Sequence, residues 1–248
     1  RKVIRMIDLK SKAREVKERG YCLIESVYDE KECDQIRTIF KGLCDDRGGL
    51  SEEQASMGFH PLLELGPEMA PFFVKSILID AMEEVLQDDV RLAHTGAAVF
   101  SNAPTQPILT TWHDHYAWEI PSGGLQRENP ERILCGIYID GSDRGIGPLI
   151  VLPRQLNDPT DAKGDGDAAW EGEEEVMMSP GDSVIFDTAL WHCSRRGTSR
   201  GPRHIWGGHY QGWSNPTPHP EDNTADNPTV NEHRANLPLL RAMLDGPN

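Results

Sequence analysis

Residues 180–206 read PGDSVIFDTALWHCSRRGTSRGPRHIW. Pro180, Gly181 and Asp182 make a turn, Ser183 to Phe186 a buried strand, and His192 follows at the strand's far end. Arg203 comes eleven residues after His192 and opens the next strand. Arg195, Arg196 and Arg200 crowd the connection, so four arginines fall within nine residues of a chain whose net charge is −15. A forked guanidinium suits a carboxylate or phosphate. The plainer reading is a surface basic loop paired with the acidic stretch 158–175. The same texture fills residues 90–212: RLAHTGAAVF, QPILTTWHDHYAW, RILCGIYID, PLIVLP, EEVMM and RHIWGGHYQGW are short β-like runs separated by Gly, Pro and Asp turns.

Upstream the pattern is helical. Residues 8–19 read as a charged helix stopped by Gly20, 21–28 as a strand, about 30–44 as a helix capped by Asp29, and about 68–87 as a third helix. Residues 45–67 read as a loop. Helices followed by about seven or eight strands predict a mainly β chain with flanking N-terminal helices, an α+β sandwich or barrel. One domain, 1–248, is expected: a helix-rich flank over about 1–89, a β core over about 90–212, and a tail with a closing helix over 213–248. Within that last part, 214–230 read as an extended surface tail and 231–244 as a helix. The acidic run 158–175 lacks EF-hand spacing and reads as a solvated loop.

Composition bounds the function. Mean hydropathy is −0.53, with 38% hydrophobic residues, so the chain is soluble in character without being disordered by composition. The negative charge disfavours nucleic acid and anionic membranes as partners, and no apolar run is long enough to span a bilayer. The five cysteines form no CxxC pair and are widely spaced, which argues against a disulfide framework or Cys-rich zinc site and for a reducing, cytoplasmic setting. A small-molecule partner is expected. Oligomeric state stays open, a dimer being one option.

The densest chemical feature is Trp112-His113-Asp114-His115-Tyr116. Residues i and i+2 of a strand share a face, so His113 and His115 point one way and Asp114 the other unless a bulge intervenes. Two imidazoles on one face can seat a divalent metal, but a third ligand must come from elsewhere. A metallohydrolase reading fails because the further ligands of an HxHxDH motif are missing.

Together these features resemble the phytanoyl-CoA dioxygenase-like family of iron(II)/2-oxoglutarate dioxygenases, over about residues 15–212. The resemblance rests on Arg19-Gly20-Tyr21, the Trp-His motif, Gly147-Pro148 with Val151-Leu152-Pro153, and the distal His192 and Arg203 at the family's spacing. Where the family writes Gly-Ser-His after that proline, this chain has Arg154-Gln155-Leu156. The resemblance implies a double-stranded β-helix (a jelly-roll, cupin-like fold) and an oxygenase using Fe²⁺, 2-oxoglutarate and O₂ to oxidise, and typically hydroxylate, a small molecule. It implies that Arg203 holds the distal carboxylate of 2-oxoglutarate, and that His192 joins a His-x-Asp/Glu pair on the metal.

The departure lies in that pair. With no gap, His115 occupies the carboxylate's place and the ligands are His113, His115 and His192. With a local bulge, Asp114 is the carboxylate. A third register puts Asp114 in place and Trp112 where the first histidine belongs. Halogenation is disfavoured, because it needs a small residue where bulky His115 stands. Tyr138 can face the pocket beside the co-substrate, and Trp112, Trp118 and Trp206 are candidate substrate walls. His94, His204 and His209 are read as core or pocket residues, and Cys193 as pointing away from the metal. The rival functions are a three-histidine oxygenase that does without 2-oxoglutarate, a catalytically silent partner of an active paralogue, and a plain jelly-roll binding module.

Overall fold

The computed structural model describes residues 7–51, 56–101, 108–115, 127–161, 163–198, 201–215 and 228–247. Helix α1 (Leu9–Arg19) is capped by Asp8, whose carboxylate accepts from Ser11 N at 3.1 Å, and it ends on Gly20 in the left-handed region. Strand β1 (Tyr21–Ile24) follows. It is shorter than the expected 21–28, because the chain turns at Ser26, which has φ +54. Helix α2 (Glu30–Asp45) starts with a reciprocal capping box between Asp29 and Glu32 and buries Cys33, Ile36, Phe40 and Cys44 on one face.

The stretch 45–67, expected as loop, instead holds strand β2 (Ser56–Phe59) and the short helix α3 (Leu62–Leu65). Its alternation is only two apolar residues deep, Met57 and Phe59, too little to stand out among Gly and Pro. The third helix is split into a 3-10 helix (Pro67–Phe73) and α4 (Ser76–Leu86). Pro71, which has no N–H to donate, works against one continuous α-helix.

Strands β3 (Val90–Phe100), β4 (Ile108–His113), β5 (Arg132–Tyr138), β6 (Leu149–Val151), β7 (Glu174–Val176), β8 (Asp182–Asp187), β9 (His192–Arg195) and β10 (Arg203–Gly212) complete the β core. A six-stranded sheet runs β1-β8-β5-β10-β3-β2 and a four-stranded sheet β4-β9-β6-β7, with antiparallel neighbours throughout. The fold is a jelly-roll. The buried strand expected over Ser183–Phe186 is β8, and His192 lies beyond its far end. β8 stops at Asp187, and the chain crosses over so that His192 opens β9 in the other sheet.

One apolar core lies between the helices and the large sheet, with Phe40, Met82, Ile185 and Trp206 among its members. A second lies between the sheets, with Tyr138, Leu149, Val184 and Phe186. The closing helix is two, α5 (Pro228–Asn236) and α6 (Pro238–Asp245), because Pro238 restarts the turn as an N-terminal helical residue. Residues 216–227 of the expected tail lie outside the described residues, and 228–230 belong to α5.

Candidate active site

A cavity of about 440 Å³ lies between the sheets. At one end His113, His115 and His192 converge, with one nitrogen from each within 4.8 Å of the others. His113 ends β4 and is the direct cross-strand partner of His192 in β9, which brings their rings to 4.2 Å. His115 lies two residues beyond β4. Its backbone N–H donates to Thr188 O at 2.8 Å, and its ring stands 5.0 Å from both others. Asp114 is not part of this group.

Two ties bear on whether a metal fits. His113 Nδ1 lies 2.7 Å from Thr111 O, and His192 Nδ1 2.9 Å from Leu190 O. A carbonyl only accepts, so each Nδ1 carries a hydrogen, and in the neutral ring it is Nε2 that keeps the lone pair. That is the tautomer and outer support a metal-bound imidazole uses. Burial, then the neighbouring His113 and His115, holds His192 well below the usual histidine pKa. It is therefore neutral, as a ligand must be. The three imidazoles fit a divalent metal.

Arg203 opens β10 opposite Phe100 and is fully buried. Its guanidinium lies 5.2 Å from the Tyr138 ring centre and 5.9 Å from that of Phe100. None of its three nitrogens has a hydrogen-bond partner among the described residues. Burial pulls its pKa down, against the pull of Tyr138 and Asp140. A buried, unmatched guanidinium is costly unless an anion meets it, so Arg203 fits the carboxylate of a co-substrate. Tyr138 and Phe100 line the cavity in front of it. Arg195 behaves differently. It pairs with Glu173 at 2.7 Å, as the basic-loop reading expected, and Arg200 lies outside the described residues.

The expected tryptophan wall is corrected. Trp112 does not line the cavity. It stacks on Trp170 at 4.5 Å and 10°, and its Nε1 donates to Ala168 O at 2.8 Å. Alternation along β4 turns it away from the face that carries His113. Trp206 borders the cavity, but its ring packs edge-on against Tyr28 and Phe73 in the helical core. Trp118 lies outside the described residues. His94 and His209 line the cavity, whereas His204 is held by Asp140 at 2.8 Å. Cys193 packs with Trp112, Ile150 and Trp170, away from the three histidines.

Two features escaped the sequence. His60 joins the cavity from the stretch read as loop, with no motif to mark it. Asp187, fully buried, accepts from Arg154 at 3.1 Å, Arg127 at 3.3 Å and Ala189 N at 3.2 Å. Burial pushes its carboxyl up against the pull of the two guanidiniums. This hub sits next to Thr188, whose carbonyl holds His115. Arg154 stands where the family writes a serine motif, which was a signal that could have been followed.

Fold and cavity together define a jelly-roll oxygenase of the non-haem iron type. The sequence profile described as phytanoyl-CoA dioxygenase matches residues 16–205. The chain belongs to that family, and so to the oxygenases that use iron(II), 2-oxoglutarate and O₂. A sequence search of curated proteins gave no match. Solved structures share the fold at low identity. HygX from Streptomyces hygroscopicus, with nickel and 2-oxoglutarate bound, superposes with TM-score 0.65 at 13% identity, covering 82% of this chain and 87% of its own. SnoK, a non-haem α-ketoglutarate-dependent carbocyclase from nogalamycin biosynthesis, gives 0.63 at 19%, covering 82% and 83%. EctD from S. alaskensis, with 2-oxoglutarate and 5-hydroxyectoine, gives 0.62 at 18%, covering 89% and 85%. No helix among the described residues is long and apolar enough to cross a membrane.

Proposed function

We propose that this chain hydroxylates a small molecule in a reducing, cytoplasmic setting, with His113, His115 and His192 holding iron and Arg203 anchoring 2-oxoglutarate. The convergence of the three imidazoles within 4.8 Å carries this reading. Hygromycin B bound to HygX and nogalamycin RO bound to SnoN, an epimerase that shares the fold with TM-score 0.63 at 16% identity, support a small-molecule substrate, and five unpaired cysteines suit the compartment.

Bound iron supplies the redox chemistry that couples O₂ and 2-oxoglutarate to substrate oxidation. The chain's own residues do the rest. Thr111 and Leu190 carbonyls fix the tautomers of His113 and His192, and Thr188 O fixes the backbone of His115. Arg203 offers its fork to the distal carboxylate, with Tyr138 beside it. Leu134, Phe186 and Ile205 give the cavity apolar walls, which exclude water and hold the substrate in reacting position. Arg203 favours this reading over a three-histidine oxygenase without 2-oxoglutarate, which would leave that guanidinium buried to no purpose.

An anaerobic Fe(II) titration of four variants tests the ligand set. His192→Ala and His115→Ala should each weaken binding by about 100-fold or more, beyond what an outer partner contributes. Asp114→Ala should bind as the wild type does, and His115→Asp should retain or strengthen binding by supplying a carboxylate. Loss of iron in Asp114→Ala with a mild His115→Ala would move the site onto Asp114.

A further inference from the structure

The cavity has a second polar wall that the metal and the co-substrate leave unused. His94 on β3 and His209 on β10 are direct cross-strand partners, with rings 5.5 Å apart. His60, just past β2, stacks on His94 at 5.7 Å and 5°. His209 in turn lies 4.9 Å from His115. A row of imidazoles therefore runs from the metal cluster to exposed His60. His94 is only 9% exposed, and its Nδ1 has no hydrogen-bond partner among the described residues. A buried polar atom of this kind calls for a ligand or ordered water to complete it.

The floor beside this wall is bare backbone. Gly207 pairs with Gly96 on one side and with Gly136 on the other, and all three line the cavity. A Cβ at Gly96 would come within 2.5 Å of the His60 ring, and one at Gly207 within 1.9 Å of Cys135 O. Side chains are thus excluded where the imidazole wall closes in, and the polar contacts offered to a ligand there come from the histidines.

Charge decides which ligand. The described lining residues include six histidines and no Asp, Glu, Lys or Arg, in a chain whose net charge is −15. Among the described lining residues an ammonium group finds no carboxylate to pair with, and burying an unpaired charge is strongly unfavourable. A carboxylate meets the imidazoles of His94, His60 and His209 there, and no acidic side chain among the described lining residues. We infer that the substrate is a carboxylate, bound through that group by His94 with His60 and His209, while its reacting carbon faces His113, His115 and His192. This rests on the oxygenase reading and names its substrate class.

The test uses zinc-loaded protein saturated with 2-oxoglutarate, so that Arg203 is already occupied and no turnover occurs. Cyclohexanecarboxylate, cyclohexanecarboxamide and cyclohexylmethylamine are titrated at millimolar concentrations by ligand-observed NMR. The carboxylate should bind roughly tenfold tighter than the other two, the worth of a hydrogen bond to a charged group. His94→Phe should abolish that preference and leave the 2-oxoglutarate titration unchanged. Arg203→Ala should weaken 2-oxoglutarate and keep the carboxylate probe. Should His94→Phe fail to fold, His60→Phe at the exposed mouth should reduce the preference in the same direction. Equal binding of the three probes, no binding of the carboxylate, or its loss in Arg203→Ala with retention in His94→Phe would overturn the inference. Failure of wild-type protein to bind 2-oxoglutarate overturns the oxygenase reading instead, while the three-probe comparison still decides this one.

Discussion

The two sheets do different work. The six-stranded sheet holds the longest strands, β3 with 11 residues and β10 with 10, and their pairing shifts register once, between His209 and Tyr210. Helices cover its outer face. It carries Arg203, Tyr138, His94 and His209. The four-stranded sheet has strands of 6, 4, 3 and 3 residues. Its β4–β9 pairing shifts register twice before reaching His113 and His192. The proposed co-substrate anchor thus sits on a regular ladder, while the proposed metal ligands sit where the ladder is broken. Irregular pairing re-aims side chains, but it leaves fewer ladder bonds to hold them. Support comes from outside: the Thr188 carbonyl on His115, the Asp187 hub beside it, and the Trp112–Trp170 stack behind β4.

The largest effect should come from cutting the link between the sheets. Asp187 ends β8 in the large sheet and begins the crossing to β9. Asp187→Ala takes the buried carboxylate from between Arg127 and Arg154, leaving Arg127 on Leu156 O and Arg154 on Asp158 O, and should destabilise the fold by about 3–5 kcal/mol in urea unfolding. A loss under about 1 kcal/mol would mean that the hub is dispensable. Next comes the regular sheet. Arg203→Ala should raise the apparent KM for 2-oxoglutarate by the equivalent of about 1.5–3 kcal/mol, measured by O₂ consumption. An unchanged KM would place the co-substrate elsewhere.

The irregular sheet should show itself through pH. Folding holds His192 neutral, whereas in the unfolded chain it titrates near about 6.5. Below that pH the unfolded state binds the extra proton, so the metal-free protein should lose stability on acidification, by at most about 1.4 kcal/mol per pH unit from this residue. Above it the contribution is flat. Urea melts of wild type and His192→Phe from neutral pH downward should diverge in slope, and parallel curves would remove the buried neutral imidazole from the account. The smallest effect belongs to Arg195→Ala, which breaks a half-exposed pair with Glu173. It should alter stability by under about 1 kcal/mol and leave the 2-oxoglutarate KM alone. If Arg195 and Arg203 behave alike, the contrast between the sheets fails.

Local chemistry made much of this legible in the chain. Turn residues and short apolar runs gave the β core and its helical flank, and the acidic composition set aside nucleic acid. The spacing of His113, His115, His192 and Arg203 pointed to iron and 2-oxoglutarate through family resemblance. Strand parity also turned Cys193 away from the cluster, and applied one residue earlier it would have turned Trp112 away with it.

What the sequence could not determine depends on partners distant along the chain. Burial of Asp187 among Arg127 and Arg154, the stacking of His60 on His94, and the pairing of Gly96, Gly207 and Gly136 join residues with no shared motif or period. β2 was hidden for the same reason: four residues carry too little alternation to announce a strand, and its place is set by pairing with β3. Periodicity and spacing record only which way a side chain points along its own element. Which side chain it meets across the sheet or across the cavity is decided by register and layer packing, and those exist only once the chain has closed on itself.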